Sequence, residues 1–170
     1  ASGWVLEAGS ALSGNDNTDA DPEVLVAIGE LSTSIGAADI TEVEMVTTTA
    51  DKSEGFTISV RVRYNEPVDV VTTGGTPTLA VTNDNSGTGS GRGPHSLSYA
   101  SGTGTNELIF SLAIAAANAA TNADDVLSVG AQTIALNSGT IKDASGTASD
   151  AALVISGALG TAAGSVTVTA

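Results

Sequence analysis

The sequence has no cysteine and few aromatic residues, and these absences exclude several classes of protein. Its 170 residues include two Phe, two Tyr, one Trp and a single His. Without cysteine there are no disulfides, thiolate zinc ligands or cysteine nucleophiles. His95 follows Pro94 at the start of a predicted strand and belongs to no nucleophile motif, so we interpret it as a loop histidine without a catalytic role. The scarcity of Trp and Tyr also argues against a glycan-stacking platform. We therefore predict that the protein is not an enzyme.

Basic residues are also scarce. Five Lys and Arg stand against 19 Asp and Glu, which gives a formal net charge of −14. Nucleic-acid binding needs clustered Lys and Arg, and anionic membranes attract the same residues, so we predict neither partner. No apolar run approaches the roughly 20 residues that span a bilayer. The acidity is concentrated towards the N-terminus, because residues 1–54 contain 11 acids and one Lys.

The clearest structural pattern in the chain is the segment from Gly55 to Pro67. Apolar residues alternate there with Thr, Ser and Arg: Phe56, Ile58, Val60, Val62 and Tyr64. A period of two predicts a strand with one buried face and one solvent-exposed face. Arg61 and Arg63 fall on the solvent-exposed face. We expect Pro67 to end this strand, because proline cannot donate to a ladder.

The first 37 residues are predicted to form an acidic N-terminal arm. Trp4, Val5 and Leu6 form a small apolar group in it, which we interpret either as a cap on the protein's own core or as an anchor on a partner. Residues 22–35 are predicted to form a helix that begins after Asp21, with Pro22 at its first position. An extended conformation from Val24 to Leu31 is the alternative.

Residues 38–170 read as many short strands separated by turn signals, a pattern that is typical of an all-β sandwich or barrel. A glycine-rich loop over 83–94 contains Arg92. Its glycines are not followed by the Gly-Lys-Ser/Thr of a phosphate-binding loop. We interpret it as a loop tip, with Arg92 as a minor candidate for contact with a partner carboxylate.

Several ordered motifs in this region resemble a known family. They are Tyr64-Asn65-Glu66-Pro67-Val68, Gly75-Thr76-Pro77-Thr78-Leu79, Tyr99 to Asn106 with Leu108-Ile109-Phe110, and Leu136 to Gly146. Together they are similar to one unit of the bacterial Ig-like, cadherin-like repeats of large surface adhesins. The resemblance covers about residues 40–155 and implies an immunoglobulin-like β-sandwich that acts as a spacer, an adhesive module or an assembly domain.

The chain departs from adhesins in having one such unit, without an internal repeat, behind an acidic arm. This plan is similar to that of bacteriophage capsid decoration (cement) proteins, and also to that of Ig-like tail proteins. It implies a virion protein on the capsid surface that binds the major capsid protein or other virion subunits, with self-association or many copies per particle. The alternative is an extracellular adhesin module at a bacterial cell surface.

Calcium is the one cofactor that the sequence leaves open. Asn15 to Asp21 is rich in oxygen ligands, but Ala20 and Val26 occupy the sixth and twelfth places where an EF-hand needs Gly and Glu. The resemblance to adhesin repeats, whose acidic loop ends sometimes bind calcium, adds Asp124, Asp125 and Asp143 as weak candidates. For partners, the candidates are Trp4, Val5 and Leu6 in the arm, and Arg61, Arg63 and Arg92 on the outer face and loop.

Overall fold

The computed structural model describes residues 2–6, 23–28, 37–85, 93–116, 118, 120–144 and 149–170, with backbone alone for 2–6, 23–28 and 85. The chain divides into an N-terminal unit, Ala1–Ile35, and a C-terminal unit, Gly36–Ala170. The elements in the described residues are β1 (Ser2–Leu6), β2 (Glu23–Ile28), β3 (Ile40–Met45), β4 (Ala50–Asp51), β5 (Phe56–Val71), β6 (Thr78–Asn85), β7 (His95–Ser101), β8 (Thr105–Ile114), β9 (Asp125–Ser128), β10 (Gln132–Thr133), β11 (Thr140–Asp143), β12 (Val154–Ile155), α1 (Gly157–Ala162) and β13 (Ser165–Thr169).

The N-terminal unit contains an antiparallel pair of strands, β1 and β2, with Trp4 opposite Val26. The predicted helix over 22–35 is wrong for Glu23–Ile28, which is strand β2. Its β-branched residues recur at every second position, at Val24, Val26 and Ile28, and such residues favour a paired strand over a helix. Residues 29–35 of the predicted helix lie outside the described part.

The C-terminal unit is all-β, as the sequence predicts. Strand β5 is its centre: it pairs with β8 along one side, and with β3 and then β11 along the other. Strand β6 pairs with β7 through residues 78–81 and with β9 through residues 82–85. Because β6 changes partner along its length, the nine described strands of this sheet form one curled structure that continues through β13 to β4.

The predicted end of the central strand at Pro67 is wrong, because β5 continues to Val71. The pairing with β8 shifts register here: Arg63 lies opposite Glu107, but Val68 lies opposite Thr105. Five steps along β5 therefore match two along β8, and the proline falls in this irregular stretch. Proline is tolerated here because the regular hydrogen bonds between β5 and β8 are already interrupted. The carbonyl of Pro67 accepts a hydrogen bond from the amide of Ala144 at 3.0 Å.

The core lies along the inner face of β5 and its neighbours. Ile58, Val60, Val62 and Val68 are fully buried there. Phe110 of β8 is also fully buried and makes an edge-to-face contact with Tyr99, with ring centroids 6.1 Å apart. This continuous apolar layer accounts for the period of two in the sequence.

The described residues contain one helix, the six-residue α1, which the sequence analysis missed. Ser156 caps it by accepting a hydrogen bond from the amide of Leu159 at 3.2 Å. Its Gly-Ala-Leu-Gly-Thr-Ala sequence has weak helical propensity, so the cap and the contact with β3 decide its conformation. No described helix has the length and apolar character that crossing a membrane requires.

We predict that Phe110→Ala destabilises the C-terminal unit by about 3–5 kcal/mol, because it removes a large buried ring and leaves a cavity. Ser111→Ala, at the adjacent half-buried position, should change the free energy of unfolding by less than about 1 kcal/mol. Urea unfolding followed by circular dichroism measures both. Equal stability of the two variants would contradict the core assignment.

Candidate functional site

The arm residues Trp4, Val5 and Leu6 all lie on β1. Their cross-strand partners are Val26, Val24 and Glu23. The register shifts between Trp4 and Val5, so β2 carries one extra residue there, as in a β-bulge. We call the antiparallel pair of β1 and β2 the β1–β2 hairpin. The N-terminal unit that contains it has six acidic residues and no Lys or Arg. The three arm candidates thus lie on one short strand, in a segment whose charged residues are all acidic.

Arg61 and Arg63 lie on the outer face of β5, as predicted, but acidic side chains of the same chain already bind them. Arg63 donates from Nε and Nη2 to Oε1 of Glu107, at 3.0 and 2.7 Å, and from Nη1 to Oε2 of Glu42 at 2.6 Å. Arg61 donates from Nη2 to Oε2 of Glu44, and its Nη1 lies 3.7 Å from Oε2 of Glu107. We call these five residues the ion-pair ladder.

The register of three strands builds this ladder. Glu42 and Glu44 of β3 lie directly opposite Arg63 and Arg61, and Glu107 of β8 lies opposite Arg63 on the other side. The hydrogen bonds from Arg63 lower the pKa of Glu107, and the bond to Glu107 raises the pKa of Arg63. Because the pKa of Glu107 is lower in the folded protein than its unfolded value of 4.5, its ion pair stabilises the fold at pH values above 4.5. This stabilisation is lost as the pH falls through the folded pKa.

We predict that Arg63→Lys lowers the melting temperature by a few degrees Celsius in low salt, because an ammonium cannot bridge Glu42 and Glu107 as the guanidinium fork does. The difference should shrink in about 1 M NaCl, where charges at the surface are screened. Differential scanning calorimetry at both salt concentrations measures the effect.

The control for this variant is Lys142→Gln, which removes a single exposed pair with Asp150. We expect no measurable change from it, because isolated surface pairs contribute little. A loss in Arg63→Lys that is no larger than in this control would show that the ladder does not stabilise the fold.

The three aspartates named as calcium candidates do not form a common site. Asp124 has a positive φ of 68° in the turn before β9, and Asp125 is fully buried as the first residue of β9. Oδ2 of Asp125 accepts a hydrogen bond from the amide of Asn122 at 2.7 Å. Asp143 lies at the end of β11. Within the described ranges, no three His, Cys, Asp or Glu side chains come close enough together to hold a metal ion. Arg92 lies outside the described residues.

His95 is the first residue of β7, at the start of a strand as the sequence predicts, but it is buried in the protein and does not lie in a loop. Its Nε2 lies 3.1 Å from Nδ2 of Asn83 and 3.4 Å from Oγ1 of Thr121. Asn83 Nδ2 also donates to the carbonyl of Ala120 at 2.6 Å, which fixes the amide orientation. Because an amide nitrogen only donates, Nε2 of His95 is the acceptor and the imidazole is neutral. We call His95, Asn83 and Thr121 the His95 cluster.

Burial lowers the pKa of His95, although the charge of Asp125 raises it in part. A histidine with a lowered folded pKa contributes its full stability above the unfolded value of 6.5, and the protein loses stability as the pH falls below that value. Protonation at Nε2 would also place an N–H against the Asn83 amide.

We predict that His95→Gln weakens the loss of melting temperature between pH 7 and pH 5, because Gln can accept from Asn83 but does not titrate. Thermal unfolding of both proteins across this range measures the difference, with Ser96→Gln at the exposed next position of β7 as the control. A pH dependence unchanged from the wild type would show that His95 titrates normally.

One further buried carboxyl group was missed by the sequence analysis. Glu66 follows Tyr64 on the inner face of β5 and is 9% exposed. Its Oε1 accepts no hydrogen bond from a described residue. Burial raises the pKa of Glu66, and the charges of Asp143 and Asp39 raise it further. One feature of the sequence indicates this burial: Glu66 lies two residues after Tyr64, so the alternation along β5 places it on the apolar, buried face.

Two surface depressions border the C-terminal unit, with volumes of about 280 and 460 Å³. The first is lined by Thr82, Asn83, Asp84, Gly93 and Pro94, and the second by small residues around Gly130 and Gly160. Neither is lined by the imidazole of His95 or the carboxylates of Glu66, Asp125 and Asp143. Among the described residues, the buried titratable groups therefore do not line either depression.

Comparisons with protein-family models, curated proteins and solved structures gave no significant match to this chain. The functional argument therefore depends on the geometry described above.

Proposed function

We propose that the protein is a non-enzymatic structural protein of a bacteriophage virion, which decorates and cements the capsid by binding the major capsid protein. The observation that carries this proposal is the division of the chain into an acidic N-terminal unit with a short hairpin and a separate all-β unit. In this scheme the hairpin binds the shell and the C-terminal unit projects from it.

The hairpin suits a binding role for a physical reason. A two-stranded sheet is marginally stable in water by itself, so a segment of this kind gains order from the surface that it contacts. Trp4 is the only Trp of the chain and belongs to the residue type most often found at binding hot spots. Binding at subunit junctions would stabilise the shell by mass action, and many copies per particle would be needed.

The C-terminal unit supports the non-enzymatic part of the proposal. Its two outer arginines are held in the ion-pair ladder, and its histidine is buried in the His95 cluster. Any partner of Arg61 or Arg63 would have to displace Glu42, Glu44 or Glu107. The hairpin is therefore the stronger candidate for the contact with the shell.

A second candidate is a spacer or adhesive module of a bacterial surface adhesin. The motifs that carry this resemblance, Tyr64 to Val68 and the segment ending at Gly146, are joined by strand pairing, with Val68 opposite Asp143. Two of the motifs that carry the resemblance are therefore neighbours in the same sheet. An Ig-like tail protein remains the alternative within the virion.

We predict that the full chain co-sediments with empty shells of the phage that encodes it, and that Trp4→Ala weakens this binding by about thirtyfold, the effect of losing a 2 kcal/mol hot spot. Ser2→Ala, on the same strand, should bind like the wild type. Quantitative co-sedimentation measures both affinities.

The proposal fails if the wild-type chain does not bind shells, or if Trp4→Ala binds as tightly as Ser2→Ala. A parent gene that encodes tandem copies of this unit would favour the adhesin module instead. Melting temperatures of the variants distinguish a lost contact from a lost fold.

A further inference from the structure

The β1–β2 hairpin leaves a hydrogen-bonding edge open on each of its strands. Among the described residues, β1 and β2 pair with each other and with no further strand. In a two-stranded sheet, the N–H and C=O groups on the outer edge of each strand point away from the other strand and form a template for pairing with another chain. The hairpin therefore offers two edges to a partner.

Two sheet edges in the C-terminal unit, by contrast, are covered by groups of the same chain. Residues 78–81 of β6 pair with β7 on one side, and the side chain of Gln132 takes the place of a strand on the other. Its Oε1 accepts from the amide of Ala80 at 2.8 Å, and its Nε2 donates to the carbonyl of Ala80 at 2.7 Å. The amide of Met45, at the end of β3, donates to the carbonyl of Ala163 at 2.8 Å. Backbone groups at these two edges are therefore already used within the chain.

The outer edge of β1 is the less protected edge of the hairpin. Natural proteins prevent pairing at an edge with charged residues, proline or a bulge. Strand β1 has neither a charged residue nor a proline. Strand β2 carries Glu23, and the register skips its Leu25, as in a bulge. Gly3 lies inside β1, and a glycine in a strand lets another backbone approach closely. The sequence of β1 therefore favours pairing with a further strand.

The charge of the N-terminal unit indicates which kind of strand fits this edge. The unit has six acidic residues and no Lys or Arg. A second copy paired at β1 would place two such units side by side, and like charges across an interface are unfavourable. A strand of another protein with Lys or Arg at its ends would instead be attracted to the edge. Charge therefore favours a basic strand of a different protein over pairing between copies of this chain.

We propose that the outer edge of β1 binds an extended strand of another protein, flanked by Lys or Arg, which pairs with it as a third strand of the β1–β2 hairpin. In this mode main-chain hydrogen bonds provide the affinity, and alternate side chains provide the specificity. A third strand would also stabilise the hairpin, since a two-stranded sheet is marginally stable in water. The inference rests on the proposed function only in that a capsid protein would supply the strand.

The test is a titration of the full chain with synthetic peptides, followed by the fluorescence of Trp4, the one Trp of the chain. The first peptide alternates Thr and Val and carries two Lys at each end. The second has the same sequence but is N-methylated at every Thr and Val, so it keeps its side chains and charges and loses its main-chain donors. We expect N-methylation to weaken binding at least about tenfold, because the inter-strand hydrogen bonds are lost.

A third peptide, with Glu in place of Lys, tests the charge of the partner strand. It should bind at least about tenfold more weakly than the first peptide in low salt, and the difference should shrink in about 1 M NaCl. Residue-resolved amide exchange then locates the contact. The hairpin alone bonds every second amide of β1, so a strand added there should protect consecutive amides from Gly3 to Leu6.

The inference is overturned if the first peptide does not bind at about 1 mM, or if either control peptide binds as tightly as the first. New protection on β2 instead of β1, or self-association of the free chain through β1, would also overturn it. Co-sedimentation with shells after such a result would leave the proposed function standing with another mode of contact. Peptide binding by a chain that does not bind shells would refute the capsid partner and support the pairing at β1.

Discussion

The C-terminal unit depends on the register of β5, because this strand pairs with three others and carries different chemistry on its two faces. Its inner face contributes Ile58, Val60 and Val62 to the core, while its outer face presents Arg61 and Arg63 to glutamates on both neighbours. A slip of one residue would exchange these faces, burying two guanidinium groups and exposing the apolar layer. Core packing and ion pairing therefore specify the same register, and a slip of one residue would lose both.

The same inner face also accounts for the protein's unusual polar interior. Glu66 continues the alternation of β5, so the strand carries a carboxyl group to the end of the core, next to Asp143. At another part of the sheet, the His95 cluster links β6 and β7 through a neutral imidazole. Burial raises the pKa of Glu66 and lowers that of His95, so both groups link the stability of the fold to pH.

Local patterns predicted most of this fold, and long-range pairing explains the errors. The alternation from Phe56 to Tyr64 correctly indicated the central strand, because a period of two is visible within one segment. The sequence of β2 also fits a helix, and β1, the strand whose pairing decides its conformation, lies about twenty residues earlier. Glu107, a partner of both arginines, lies 44 residues from Arg63 and 46 from Arg61, and Glu66 comes near Asp143 only because β11 pairs with β5. No short segment of the sequence contains both members of these residue pairs, so local patterns cannot predict them.

The proposed function requires that the C-terminal unit is stable by itself and that the β1–β2 hairpin gains its order from the surface that it binds. Amide hydrogen exchange tests this most directly, on the free chain and on the chain bound to shells. We expect β5 and β8 amides to be protected in both states, and those of Trp4 and Val26 to exchange rapidly in the free chain but slowly on the shell. Strong protection of the hairpin in the free chain, unchanged on binding, would contradict the account.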